Sequence, residues 1–146
     1  MMAIKRMDHV GIVVDDLATA TAFFEALGME VLGAGAVGGD WVGRIIGLRD
    51  VRARLAMLQT PDALHRVELV TFDSPANDPD PGVLASNVPG LRHLCFNVDD
   101  LDATLDRLRE HGGELVGSIE QYENAYRLCY VHGPHGVIVE LAEDVR

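Results

Sequence analysis

Twice along the chain, a short run of alternating hydrophobic and polar positions is followed by a helical pattern. Residues 7–14 alternate as a strand does, with His9 on the less apolar face. Residues 17–27 then carry apolar side chains at helical spacing, with Asp15 as the predicted N-cap and Gly28 as the predicted helix end. The pattern therefore predicts a strand covered by an amphipathic helix.

The second occurrence of this pattern is also a repeat of the sequence, with Asp99 as the predicted N-cap and with Leu101, Leu105 and Leu108 predicted to point inward from the helix. Residues 91–117 align with residues 7–33 at a constant offset of 84 without a gap. The identical pairs are His9/His93, Val14/Val98, Asp15/Asp99, Asp16/Asp100, Leu17/Leu101, Gly28/Gly112, Glu30/Glu114 and Gly33/Gly117. This period is longer than the roughly 20–50 residues of solenoid repeats, so it predicts two copies of one small module packed as a pair.

Further alternating runs complete each module as β-α-β-β-β. The predicted strands are 7–14, 30–32, 51–58 and 66–72 in the first copy, and 92–98, 114–116, 126–131 and 137–142 in the second. The four glycines within 33–39 predict a mobile loop, and 41–46 predict a short helical turn. In strand 51–58 we expect Val51, Ala53, Leu55 and Met57 to form the apolar face.

These elements predict a single α+β domain over residues 1–146. Module one covers 1–73, a proline-rich linker without periodicity covers 73–90, and module two covers 91–146. One helix can cover only one face of its four strands. We therefore expect the uncovered faces to meet or curl into an open, cup-shaped mixed barrel.

Composition narrows the function classes. A formal charge of −11 disfavours nucleic acid and anionic membranes as partners, which leaves a small-molecule substrate. No apolar run approaches the roughly 18 residues that span a bilayer, and no basic-then-apolar leader is visible, so we expect a cytoplasmic protein. Cys95 and Cys129 have no disulfide or zinc-knuckle spacing, and we expect reduced, partly buried thiols.

Four ionisable residues occupy repeat-equivalent strand positions opposite the helices: His9, Glu68, His93 and Glu140. Each glutamate lies in an otherwise apolar strand, VELV or IVEL, where a buried carboxylate needs a partner. Two imidazoles and two carboxylates suit a divalent cation of roughly octahedral geometry with positions left for water or substrate. Alternatively, each histidine bonds a backbone group and each glutamate pairs with an arginine such as Arg54 or Arg127.

The segments DHVGIVVDDL, RVELVTF, RHLCFNVDDL and HGPHGVIVELAE resemble the vicinal oxygen chelate superfamily over nearly the whole chain. That superfamily includes glyoxalase I, methylmalonyl-CoA epimerase, extradiol dioxygenases and metal-free bleomycin-binding proteins. The resemblance implies one divalent metal ion (Ni, Co, Mn, Zn or Fe) on His9, Glu68, His93 and Glu140. This ligand set is similar to that of bacterial glyoxalase I.

By this resemblance the protein is a metal-dependent lyase or isomerase that transfers a proton next to a carbonyl through a metal-stabilised enediolate. Glu140 is the expected primary base, and Glu68 acts on the other face of a largely apolar substrate. Glyoxalase I grips glutathione with an arginine and an asparagine where this chain has Val13 and Phe72, which argues against lactoylglutathione lyase activity. The alternatives are a CoA-thioester epimerase, an extradiol-type dioxygenase and a metal-free antibiotic or aromatic-ligand binding protein.

Several further residues are candidates for substrate contact. They are Val13, Phe72, Asn97, Arg54, Tyr126, Arg127 and Trp41. Tyr126 and Arg127 are equally ordinary strand residues, and Trp41 is a lid aromatic or a subunit contact. Cys95, two residues after His93, is expected to pack rather than to act as a nucleophile. We expect a homodimer, in which the modules pair within one chain or across two.

Overall fold

The computed structural model describes residues 3–77 and 82–146. The chain divides into two compact units, Met1–Asp78 and Pro79–Arg146, and each contains its own sheet. The division falls within the linker predicted over 73–90, of which residues 78–81 lie outside the described part. No helix among the described residues is long and apolar enough to cross a membrane.

Unit one is a four-stranded sheet with two helices. Its elements are β1 (Val10–Val13), α1 (Leu17–Leu27), β2 (Glu30–Gly38), α2 (Asp40–Ile46), β3 (Arg52–Gln59) and β4 (Arg66–Ser74). The strand order is β1-β4-β3-β2, in which β1 is parallel to β4 and the other neighbours are antiparallel.

Unit two repeats this arrangement. Its elements are β5 (His93–Asn97), α3 (Leu101–Arg109), β6 (Glu114–Leu115), β7 (Glu120–Tyr122), β8 (Tyr126–His132) and β9 (Ile138–Asp144). The strand order is β5-β9-β8-β6, β5 is parallel to β9, and β7 also pairs with β8. The predicted α+β class and β-α-β-β-β order are confirmed in both units. The helical turn predicted over 41–46 is α2, and β7 is an additional element.

The two helices that begin after DD pairs are capped by the second aspartate, so the predicted caps Asp15 and Asp99 were each wrong by one residue. Asp16 and Asp100 accept hydrogen bonds from backbone N–H groups three residues ahead, both at 3.0 Å. A helix that starts at Leu17 places its N-cap directly before that residue. Gly28 ends α1 as predicted, with a φ of 121° that suits glycine.

Each unit buries its core between its helix and one face of its sheet. In unit one, Phe23 and Phe24 of α1 are fully buried, as are Leu58 of β3 and Leu69 of β4. In unit two, the leucines predicted to point inward from the helix, Leu101, Leu105 and Leu108, are buried together with Val131, Val139 and Leu141. The opposite face of each sheet is left for the polar residues of the candidate site.

The predicted mobile loop over 33–39 is wrong, because most of it belongs to β2. This strand pairs with β3 from Glu30–Gln59 to Gly38–Arg52, with one irregularity between Val31 and Gly33. Glycine weakens a strand but keeps both backbone hydrogen-bonding groups, so a complete partner strand can still hold it. A Cβ at Gly38 would lie 2.6 Å from the carbonyl oxygen of Val51, so this close approach requires glycine.

The predicted apolar face of strand 51–58 needs a correction as well. Ala56 and Leu58 are buried, whereas Leu55 and Met57 are only half-buried. Leu55 lies opposite Val70 and Met57 opposite Glu68 on β4. Leu55 and Met57 therefore accompany Glu68 on the face away from the core.

Candidate metal centre

His9 and Glu68 form a pair in unit one. Glu68 of β4 lies beside Gly11 of the parallel strand β1, and His9 precedes that glycine by two residues, so both side chains project from the same face of the sheet. His9 Nε2 lies 4.0 Å from Glu68 Oε2, and the side chains are 35% and 25% exposed. We call this side of the sheet the Glu68 face.

The second ring nitrogen of His9 is held by its neighbour in sequence. His9 Nδ1–H donates to Asp8 Oδ2 at 2.7 Å. This hydrogen bond to His9 lowers the pKa of the Asp8 carboxyl below its ordinary value. The bond fixes the ring so that Nε2 is directed at Glu68.

His93 and Glu140 form the equivalent pair in unit two. Glu140 of β9 lies beside Cys95 of the parallel strand β5, and His93 precedes that cysteine by two residues. His93 Nε2 lies 3.3 Å from Glu140 Oε1, and the side chains are 41% and 19% exposed. We call this side of the sheet the Glu140 face.

Tyr130 contacts the His93–Glu140 pair in unit two, and this contact was not predicted from the sequence. On β8 it lies directly opposite Glu140, and its hydroxyl is 3.4 Å from His93 Nδ1. The two rings pack with centroids 5.1 Å apart. The HGPHG turn was the available signal, because strands joined by a loop over 133–137 pair His132 with Ile138 and therefore Tyr130 with Glu140.

Cys95 and Cys129 are both free thiols, but only Cys129 is buried. The expectation that both are partly buried is therefore corrected, since Cys95 is exposed on the Glu140 face. Partial desolvation, and then the charge and hydrogen bond of Glu140, raise the pKa of Cys95 above its ordinary value. A thiol that resists ionisation is a poor nucleophile, which agrees with the packing role expected for Cys95.

Neither arginine that could have neutralised the glutamates faces them. Arg54 lies opposite Thr71 on the core side of its sheet and donates to both carboxylate oxygens of Asp73, at 2.9 and 3.0 Å. Arg127 lies opposite Glu143 and donates to Asp102 of α3 at 2.8 Å. Arg54 and Arg127 therefore lie on the side of their sheets away from the His–Glu pairs, which corrects their predicted roles as substrate contacts and as partners of the glutamates.

The other predicted substrate contacts differ in their positions. Val13 and Phe72 lie on the Glu68 face, with Val13 exposed and Phe72 half-buried. On the Glu140 face, Asn97 is exposed at the end of β5 and Tyr126 is half-buried at the start of β8. Trp41 is exposed on α2, a helix that contributes no residue to either His–Glu pair.

The donor groups of each pair suit a divalent cation. In both, an imidazole Nε2 faces a carboxylate oxygen while Nδ1 has an outer partner, an arrangement typical of histidine ligands. Within residues 3–77 and 82–146, no group of three or more His, Cys, Asp or Glu side chains meets at metal-binding distance. The structure thus brings the four predicted ligands together as two pairs, one in each unit.

Comparison with known proteins identifies the fold. The family model described as "Glyoxalase/Bleomycin resistance protein/Dioxygenase superfamily" matches residues 8–130. A crystal structure of a glyoxalase family protein from Bacillus cereus is 41% identical, with a TM-score of 0.94 over 99% of this chain and 97% of that one.

Two further relatives carry functional names. Ethylmalonyl-CoA/methylmalonyl-CoA epimerase of Cereibacter sphaeroides is 30% identical over 96% of this chain and 98% of its own. The antibiotic-binding protein TnmS3 of a Streptomyces species is 22% identical, with a TM-score of 0.61 over 99% of both chains. The second likeness shows the fold alone.

Proposed function

Because the chain belongs to the glyoxalase/bleomycin resistance protein/dioxygenase superfamily, we propose that it is a divalent-metal-dependent enzyme that moves a proton next to a carbonyl group. The observation that carries this proposal is the pair of equivalent His–Glu contacts, neither of which has an arginine partner among the residues that the structure describes. His9, Glu68, His93 and Glu140 would hold the ion. When bound, the ion polarises the carbonyl and stabilises the negative charge that develops on its oxygen.

Glu140 is the proposed primary base. It has the least exposed side chain of the four, and its strand neighbours Cys95 and Tyr130 are uncharged, so neither neutralises the carboxylate that would accept the proton. Glu68 is the proposed second acid or base, since isomerisation requires a proton to be returned as well as removed.

The substrate is proposed to be largely apolar near the reacting carbon. The neighbours of Glu68 on its face are Gly11, Val13, Leu55, Met57, Val70 and Phe72. None of these side chains can pair with a glutathione carboxylate, which argues against lactoylglutathione lyase activity.

A CoA-thioester epimerase is the second candidate within the same chemistry. The epimerase of Cereibacter sphaeroides, 30% identical over 96% of this chain, favours it. The net charge of −11 and the presence of only one lysine, Lys5, argue mildly against binding the phosphates of CoA.

The proposal also requires the two pairs to hold one ion. This convergence takes place within one chain or between the units of two chains in the homodimer that we propose. The alternatives from other reaction classes are an extradiol-type dioxygenase and a metal-free ligand-binding protein. Glu68 as a fourth protein ligand disfavours the dioxygenase, which uses two histidines and one carboxylate.

The test is proton exchange with solvent deuterium. Protein stripped with a chelator and reloaded with nickel, cobalt, manganese, zinc or iron(II) is assayed on 2-oxo acids, hemithioacetals and acyl-CoA thioesters. We expect at least one metal to restore exchange of a substrate α-proton. His93→Ala should abolish this activity, while His111→Ala, at an exposed position beyond α3, should retain it. Stoichiometric ligand binding without metal, together with no exchange on any substrate, would favour the binding-protein alternative.

A further inference from the structure

His9 and His93 differ in the side chain that contacts ring nitrogen Nδ1. Asp8 offers His9 a carboxylate, which only accepts hydrogen bonds, whereas Tyr130 offers His93 a hydroxyl, which both donates and accepts. Building on the proposed function, we propose that Asp8 and Tyr130 are positioning residues with unequal roles. Asp8 fixes His9 in one tautomer, and Tyr130 allows His93 to adopt either.

The contact with Asp8 leaves His9 a single neutral tautomer. Because the carboxylate at 2.7 Å can only accept, Nδ1 must carry the hydrogen. Nε2 of the neutral ring is then a lone pair, 4.0 Å from the oxygen Oε2 of Glu68. Two acceptors face each other across this gap, so the neutral ring makes no direct hydrogen bond to Glu68, and the pair is open to a cation or to a bridging donor such as water.

The contact with Tyr130 leaves His93 two neutral tautomers. With the hydroxyl as donor to Nδ1, the hydrogen of the ring lies on Nε2 and donates to Glu140 Oε1 at 3.3 Å. With the hydroxyl as acceptor, the hydrogen lies on Nδ1, and Nε2 is a free lone pair. In the first state the pair in unit two is satisfied without a cation, and in the second it is ready to bind one.

The change between the two tautomers of His93 leaves the number of protons on the ring the same. The neutral ring carries one N–H in each, so Nε2 gives a proton to solvent and Nδ1 takes one up, while the Tyr130 hydroxyl rotates. The ring packing of Tyr130 on His93, with centroids 5.1 Å apart, keeps the imidazole in place during the change. The His9–Glu68 pair is therefore open to a cation in its only neutral tautomer, whereas the His93–Glu140 pair becomes open to one only after a change of tautomer.

Long-range ¹H–¹⁵N NMR of histidine-labelled protein tests this inference. Spectra are recorded over a range of alkaline pH, and the tautomers are read where the ¹⁵N shifts of the rings no longer change with pH. Without metal, we expect His9 to carry its hydrogen on Nδ1 and His93 to carry it on Nε2. Zinc should move the hydrogen of His93 to Nδ1.

Substitutions separate positioning from a general structural role. Tyr130→Phe removes the acceptor for Nδ1–H, so His93 should keep its hydrogen on Nε2 and need about tenfold more zinc to move it. Tyr126→Phe, the same change on the same face of β8, should not alter this response. Asp8→Ala should remove the tautomer preference of His9 and weaken zinc binding by about 10–100-fold. Asp8→Asn, whose amide oxygen still accepts from Nδ1–H, should restore the tautomer.

Two results would overturn the inference. One is a metal-free wild-type protein in which His93 already carries its hydrogen on Nδ1, and the other is a Tyr130→Phe variant whose His93 responds to zinc at the same concentration as the wild type. Zinc that changes no histidine signal in the wild-type protein would contradict the proposed function alone, because the metal-free tautomers of His9 and His93 test the two contacts separately.

Discussion

Replacing Glu140 by glutamine separates a catalytic ligand from a structural ion-pair partner. The amide retains the shape of the side chain and can still bond His93, but it loses the charge that would hold a cation and the basicity that accepts a proton. If the carboxylate is both ligand and base, Glu140→Gln should lower metal affinity and lower proton exchange further.

The expected magnitudes follow from the surroundings of Glu140. Loss of a positioned general base costs about 10²–10⁴-fold in rate, which corresponds to about 3–5 kcal/mol in the barrier. The unfolding free energy of the metal-free protein should change by no more than about 1 kcal/mol, because the ion-pair partner of Glu140 is the partly exposed His93. Arg127 pairs with Asp102 and Glu143 instead, so no buried cation is left alone.

One preparation supplies all three measurements: metal content after reconstitution, exchange rate in deuterium oxide, and the midpoint of denaturant unfolding without metal. Glu25→Gln, the same substitution at an exposed position on α1, is the matched control. Unchanged metal content and exchange together with a lowered midpoint would refute the assignment of Glu140 as ligand and base.

Three further predictions concern the thiol, the pairing of the units and the fold. Glu140→Gln should lower the raised pKa of Cys95, although not fully to its ordinary value, because desolvation remains. Iodoacetamide should then alkylate Cys95 at lower pH than in the wild type, and an unchanged pH profile would contradict this. The His9→Ala and His93→Ala proteins can be mixed so that they exchange subunits, and the activity of the mixture is then measured. Activity should return if the units pair across two chains, and it should stay absent if they pair within one chain. Thr71→Val should cost about 1–3 kcal/mol in urea unfolding, because the buried hydroxyl donates to the carbonyl after β1 at 2.9 Å, whereas Thr71→Ser should be milder.

The repeat made the two units and the equivalence of their faces predictable. Identical residues at a fixed offset must occupy equivalent places in two copies of one fold, so the amino-acid sequence is enough to match His9 with His93. The period-two alternation of β4 also placed Glu68 on the face opposite Val67 and Leu69, as the structure shows.

Other features depended on partners that lie far away in sequence. The glycine-rich β2 is a strand because the whole of β3 pairs with it, and local propensity carries no information about that partner. Ala53, Leu55 and Met57 share one face of β3 as predicted, but the register with β4 places that face beside Glu68, and Ala56 and Leu58 fill the core side instead.

The roles of single polar side chains were the least predictable. Arg54 and Arg127 carry the charge that could have paired with the glutamates, but strand alternation places them on the core side. There they form ion pairs with Asp73, Asp102 and Glu143. Tyr130 was overlooked because its significance comes from the hairpin register with Glu140 rather than from its neighbours in sequence.

The central claim is that the two His–Glu pairs hold one divalent ion, and metal stoichiometry tests it most directly. Native mass spectrometry combined with elemental analysis of the reconstituted protein should find one ion per chain, whether the units pair within a chain or across a dimer. Both His9→Ala and His93→Ala should reduce that content sharply, since each removes a ligand from the same ion. Protein that takes up no ion, or that retains its ion in the double variant His9→Ala/His93→Ala, would contradict the account.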